Sequence, residues 1–73
     1  MKVKELVEKY GEDKEYIAKD GYEGVYYTRQ ANGSWVNYSD GWTDELDDEE
    51  VLEVDTEALE EYGEIWLVID TSL

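Results

Sequence analysis

Cysteine, histidine, proline and phenylalanine are all absent, and there is a single methionine. Without cysteine no disulfide can reinforce the core, which in a chain of 73 residues supplies only about 3–5 kcal/mol of net stability. Without cysteine or histidine the usual donors for zinc and the transition metals are missing, so a structural zinc site is not expected. The lack of disulfides fits an intracellular protein. No apolar run reaches the length of a signal-peptide core or a membrane span, and a cytoplasmic protein is expected. With no proline, no strand is barred on that ground from the interior of a sheet.

Positive charge is the next scarcity. The six basic residues, Lys2, Lys4, Lys9, Lys14, Lys19 and Arg29, stand in the first 29 positions, opposed there by seven acids; the remaining 44 residues carry fourteen acids and no base. Between Asp40 and Glu64 thirteen of 25 residues are Asp or Glu. A solvated acidic tail is one reading of such a block. Against it, Val51, Leu52, Val54, Leu59 and the run Ile65-Trp66-Leu67-Val68-Ile69 pass through and just beyond it, whereas disordered tails are poor in these residues. The acids are therefore expected to form one face of a folded object, a rigid negative plate.

Periodicity gives the elements. Val3, Leu6, Val7 and Tyr10 have the spacing of an amphipathic helix, with Gly11 as its natural terminator. Glu5 stands at pairing distance from Lys9 and Lys2 on that helix. Tyr16–Lys19 reads as a strand ending in a tight turn at Asp20-Gly21. Val25–Gln30 is the next strand, with Val25, Tyr27 and Arg29 on one face and Tyr26 and Thr28 on the other. Asn32-Gly33 then suits a type I′ turn, and Ser34–Tyr38 returns antiparallel, with Trp35, Val36 and Tyr38 supplying cross-strand pairs.

Trp42–Glu50 has no clean period and reads as an acidic loop with at most one helical turn after Thr43. Val51–Val54 is a short strand. Asp55 or Thr56 can cap a helical turn that runs to Tyr62 and stops at Gly63. Glu64–Asp70 is apolar on both parities and reads as a central strand buried on both faces, Trp66 included. The expected fold is one domain, 1–73, of the α+β class: an N-terminal helix and a short second helix packed on an antiparallel sheet of about four to five strands. The sheet order does not follow from the pattern.

An enzyme is not expected. Carboxylates, Tyr, Ser, Thr and Lys are the only candidate groups, no Gly-rich phosphate loop precedes a helix, and a carboxylate pair of the glycosidase kind needs a cleft about 5–10 Å across with a distinct environment for each acid. No cofactor is called for. Asp44, Asp47, Asp48 and Glu50 are hard oxygen donors that suit Ca²⁺, but Glu49 stands where an EF-hand loop needs its glycine, so only weak cation association is considered. The chemistry favours a basic partner instead. Carboxylates at Asp44, Glu45, Asp47, Asp48, Glu49, Glu50, Glu53, Asp55, Glu57, Glu60, Glu61 and Glu64 can fill a Lys- and Arg-lined groove built for a duplex, while the same charge repels nucleic acid and anionic membranes.

Trp42, between Asp40 and Asp44, is the candidate apolar anchor of that interface. Its competing place, slightly favoured by the sequence, is a lid over the sheet core. The charge exceeds the net 2–8 or so that keeps a small domain soluble, which points to binding. Crowding is expected to raise carboxylate pKa values, so that acidification to about pH 5 stabilises the fold. Oligomeric state is open, with the aromatic hairpin as a possible dimer surface.

The helical start MKVKELVEKYG, the short strands and the acidic second half ending EIWLVIDTSL resemble the small acidic proteins of bacteriophages and mobile elements, among them anti-CRISPR and anti-restriction inhibitors that include DNA mimics. The resemblance is one of general character along the whole chain and assigns no residue a role. It implies a non-enzymatic inhibitor in the host cytoplasm that occupies the nucleic-acid groove or PAM-reading site of a defence nuclease, a CRISPR effector or restriction enzyme. The alternatives are an acidic regulatory or adaptor module for a basic protein region unrelated to DNA, and a weak divalent-cation-binding protein.

Overall fold

A computed structural model describes residues 1–71. The first helix, α1, runs Val3–Tyr10 and buries Val3, Leu6 and Val7 on one stripe, as the spacing predicts. Its N-terminus is closed by Glu5, whose carboxylate accepts the Lys2 backbone N–H at 2.9 Å. Glu5 is thus used as a cap, and the side-chain pairs with Lys9 and Lys2 expected from spacing are absent from the ion pairs of the described residues. At the other end Gly11 takes φ +103° and its N–H bonds the Val7 carbonyl at 2.8 Å. The Tyr16 hydroxyl donates to the Gly11 carbonyl at 2.6 Å, tying the helix end to the first strand.

Six strands follow: β1 Glu15–Asp20, β2 Tyr26–Arg29, β3 Trp35–Asn37, β4 Thr43–Asp44, β5 Glu50–Asp55 and β6 Glu64–Asp70, with a short α2 at Leu59–Tyr62 between the last two. They form one sheet in the order β4-β3-β2-β1-β6-β5. The fold is α+β, as expected, but the sheet is neither wholly antiparallel nor limited to five strands. β6 returns from α2 into the middle of the sheet and lies parallel to β1, Ile17 opposite Trp66 and Ala18 opposite Leu67. The extra strand, β4, comes from the stretch expected to hold a helical turn: Thr43 and Asp44 pair with Val36 and Trp35.

Three local expectations are also revised. The β2–β3 loop is not type I′, because among the described residues only glycines have positive φ, and Asn32 does not. Gly33 N–H donates to the Gln30 carbonyl at 2.9 Å, Gln30 N–H to the Ser34 carbonyl at 2.7 Å, and Gly33 alone takes φ +90°. This is a type I turn closed by a left-handed glycine, the alternative three-residue hairpin loop. The β1–β2 turn is wider than Asp20-Gly21, with Gly24 rather than Gly21 at positive φ. Gly21 is needed for closeness: a Cβ there would sit 3.1 Å from Val68 Cγ1 and 3.4 Å from the Ile69 carbonyl. Finally, α2 starts only at Leu59, after an Asx turn in which Asp55 Oδ1 accepts the Glu57 N–H at 2.9 Å.

One connection shapes the whole sheet. β4 and β5 are its opposite edges, and flat strands would hold them about 24 Å apart at about 4.8 Å per step. The segment Glu45–Glu49 that joins them reaches at most about 21 Å even fully extended, and it spends part of that on a turn, Glu49 N–H to the Leu46 carbonyl. The sheet must therefore curl, bringing its edges together around α1. The connection is stitched to the start of α1 by Val3 N–H to the Glu49 carbonyl and Lys4 N–H to the Asp47 carbonyl, both 3.0 Å.

The core lies in that concavity. Tyr16, Ala18, Tyr27, Trp35, Ile65, Leu67 and Ile69 face α1 and are closed from the side by Leu46. Leu46, 3% exposed, is the lone apolar residue of an acidic run and was not distinguished by its pattern. Trp35 is fully buried and meets Tyr16 edge-on, centroids 6.5 Å apart. Trp66, by contrast, is 40% exposed: β6 buries Ile65, Leu67 and Ile69 on one face only, because among the described residues no second layer covers the other.

If the Leu46 plug carries this closure, Leu46→Ala should lower unfolding free energy in urea by about 2–4 kcal/mol. Leu52→Ala, on the exposed side of β5, should stay within about 0.5 kcal/mol.

Candidate functional site

Two surfaces stand out, one charged and one apolar. The charged one follows the chain from β4 to β6. Asp44 lies on one sheet edge; Glu45, Asp47, Asp48 and Glu49 lie on the crossing segment; Glu50, Glu53 and Asp55 lie on the opposite edge; Glu57 lies in the turn, Glu60 and Glu61 on α2, and Glu64 at the start of β6. All are exposed except Glu49 and Glu64, which are half-buried. The expected plate is therefore a belt. Because the block leaves one sheet edge and arrives at the other, its carboxylates run along both edges and the connection between them.

Two belt acids have cationic partners on the N-terminal segment. Lys4 Nζ lies 3.1 Å from Asp48, and the Met1 ammonium lies 3.2 Å from Glu50. The hydrogen bond and charge of Lys4 hold the Asp48 carboxyl below the usual range and raise the Lys4 pKa in return. Lys14 does the same for Asp13. The expected upward shift from crowding is thus reversed at these acids, where an adjacent cation outweighs like-charge repulsion. Among the described residues no group of three or more acids is placed to hold a metal ion.

Trp42 is 74% exposed, so it is not the lid the sequence favoured. Its N–H bonds Asp40 Oδ1 at 2.9 Å and its carbonyl accepts the Asn37 N–H at 2.8 Å, which fixes its backbone at the mouth of the β3–β4 turn and leaves the ring in water.

The apolar surface is the outer face of the sheet, opposite α1. Strand register aligns Thr43, Val36, Thr28, Ile17, Trp66 and Asp55 in one row across the strands. A second row holds Tyr26, Lys19, Val68 and Glu53, extended by Tyr38, whose N–H bonds the Tyr26 carbonyl. Ile17, Tyr26, Thr28, Tyr38 and Trp66 line a shallow, open hollow of about 420 Å³. A smaller one, about 210 Å³, lies across the Tyr26–Trp66 ridge between Lys19, Glu53, Asp55 and Val68. The sequence placed Tyr26 and Thr28 on a face of their own; it missed Trp66 there, since a strand apolar on both parities carries no signal of which side is covered.

Inside the fold, Asp20 is a buried carboxylate, 2% exposed, at the end of the parallel β1–β6 pair. Burial opposes its ionisation, but Thr71 Oγ1 and the N–H groups of Tyr22 and Glu23 all donate to it and together hold its pKa below the ordinary value. In the cross-strand pair Arg29 and Trp35, Arg29 Nε and Trp35 Nε1 are buried without a hydrogen-bond partner among the described residues. Arg29 meets Glu12 only at 3.7 Å.

No known family model, curated protein or solved structure matches this chain. Among the described residues no helix is long and apolar enough to cross a membrane.

The depressed Asp20 pKa has a definite consequence. Its stabilisation is fully present above the unfolded-state value, about 3.9, and is lost as pH falls through the lower folded-state value. The stability difference between wild type and Asp20→Asn should be constant from about pH 7 to 5 and shrink below about pH 4, measured by urea unfolding across that range.

Proposed function

We propose that this chain is a non-enzymatic acidic inhibitor that binds a basic, nucleic-acid-binding surface of a bacterial host defence protein and competes there with DNA or guide RNA. The observation that carries the reading is the belt: a run of carboxylates, with no base after Arg29, held on strands, a stitched connection and a helix while remaining exposed to solvent. Such an array presents closely spaced negative charge on a fixed frame, as a duplex presents about one charge per 1.7 Å of axis. A disordered tail of the same composition would lose ordering entropy on binding; a folded belt has already met that cost.

That course suits the purpose. A nucleic-acid groove surrounds its ligand on more than one side, and a domain about 31 × 23 × 18 Å with acids along both sheet edges offers charge to both walls at once. Long-range attraction speeds the encounter, and apolar contacts supply residual affinity. Trp42, exposed among Asp40 and Asp44, is one such contact.

The test is capture of partners from a bacterial lysate at low ionic strength, followed by salt elution and competition. The complex should weaken roughly ten-fold or more between about 50 and 300 mM salt, and duplex DNA or guide RNA should displace it. Asp47→Asn with Asp48→Asn should weaken it several-fold. Affinity insensitive to salt would remove the electrostatic reading. Salt-sensitive binding that nucleic acid cannot displace would leave an acidic adaptor instead.

A further inference from the structure

The outer face of the sheet is apolar in its middle and acidic at one side, and among the described residues nothing covers it. Tyr26 and Trp66 form its ridge, edge to face with centroids 6.4 Å apart. The Trp66 indole N–H donates a long, exposed hydrogen bond to Glu64 Oε1 at 3.4 Å, which together with the Tyr26 edge contact limits the freedom of this half-exposed ring. Restrained aromatic rings lose little freedom on binding and are common interface anchors.

The charges around the ridge indicate what it would accept. Asp55 stands beside Trp66 and Glu53 beside Val68 in register, and Glu15 and Glu64 pair at the far end of the parallel strands. Lys19, the one base on these rows, already lies 5.9 Å from the centre of the Tyr26 ring, within the range at which a cation is attracted to an aromatic face. A second copy of this chain would bring the same acids against themselves, at a net charge of −15 per molecule. Nucleic acid and anionic lipid are disfavoured by the same sign.

We propose that this face is a docking site for an extended segment of a basic partner protein, with an apolar side chain in the Ile17–Tyr26–Tyr38–Trp66 hollow and a neighbouring Arg or Lys between the Trp66 ring and the carboxylates of Glu53 and Asp55. The inference rests on the acidic-inhibitor reading and deepens it: the belt attracts the partner, and the outer sheet face grips it. Apolar packing gives this site a preference that charge alone lacks.

The full-length, isotope-labelled chain would be titrated by NMR with two blocked synthetic peptides, one alternating Arg and Leu and one alternating Arg and Gly, at about 20 mM salt. The Arg–Leu peptide should bind at least about three-fold more tightly and move the Trp66 indole and the amides of Ile17, Tyr26 and Val68. Trp66→Ala, and separately Glu53→Gln with Asp55→Asn, should each weaken it about three-fold or more, whereas Glu8→Gln, exposed on α1 across the sheet, should change it less than about two-fold. Both carboxylates are exposed and Asp55→Asn keeps the Oδ1 that accepts the Glu57 N–H, so those substitutions leave the core intact if Trp66→Ala does not. Equal affinity for both peptides, or shifts confined to residues 44–50 and α2, would overturn the docking site while leaving the belt. Failure of both peptides to bind would overturn both. Self-association in sedimentation that produces the same shifts would assign the face to a second copy and overturn the proposal.

Discussion

A six-stranded sheet has two faces, and this chain has cover for one. The main cover is an eight-residue helix, α1, and the five-residue connection carrying Leu46, with Leu59 of α2 packed against the same core. Both are placed on the same side, and the curl imposed by the short connection makes that small amount of cover sufficient. Large side chains do the filling: Trp35, Tyr16 and Leu6 are among the biggest fully buried groups, so a few residues remove much apolar area from water. The other face is left to residues that tolerate water on one side, Tyr26, Tyr38, Trp66, Thr28 and Lys19, whose rings and stems are apolar and whose ends are polar.

Charge acts against this arrangement. The net −15 repels itself in the compact state more than in the unfolded one, and the pairs Lys4–Asp48 and Met1–Glu50 are exposed and contribute little. What they provide is position: together with the backbone bonds from Val3 and Lys4 they fasten the acidic connection to the start of α1, so that Leu46 stays seated. The acidic belt is thus mechanically part of the fold although its charge destabilises it. The proposed binding of a basic partner would offset that cost.

Much of the frame could be read from local pattern. The α1 stripe, its end at Gly11, the β2–β3 hairpin with Tyr27 and Arg29 opposite Tyr26 and Thr28, and the stop at Gly63 are all consequences of spacing and turn chemistry within a few residues. What could not be read is non-local. Parallel pairing of β1 with β6 joins residues nearly fifty positions apart and leaves no mark on either strand. Trp66 looked buried because β6 is apolar on both parities, and the missing second layer is a property of the whole chain. Leu46 has no periodic neighbours in its acidic run. The carboxylates were all identifiable as residues, but their arrangement as a belt depends on β4 and β5 being opposite edges, which the sheet order alone decides.

The buried core and the proposed docking face depend on the sheet being covered on one side and bare on the other. A soluble paramagnetic relaxation agent, added to the labelled protein, reads this directly through the side-chain signals of its aromatic residues. The account predicts strong broadening of Trp66, Tyr26 and Tyr38 and none beyond background for Trp35 and Tyr16, which the fold buries. Protection of Trp66 equal to that of Trp35 would show that something covers the outer face, and would contradict it.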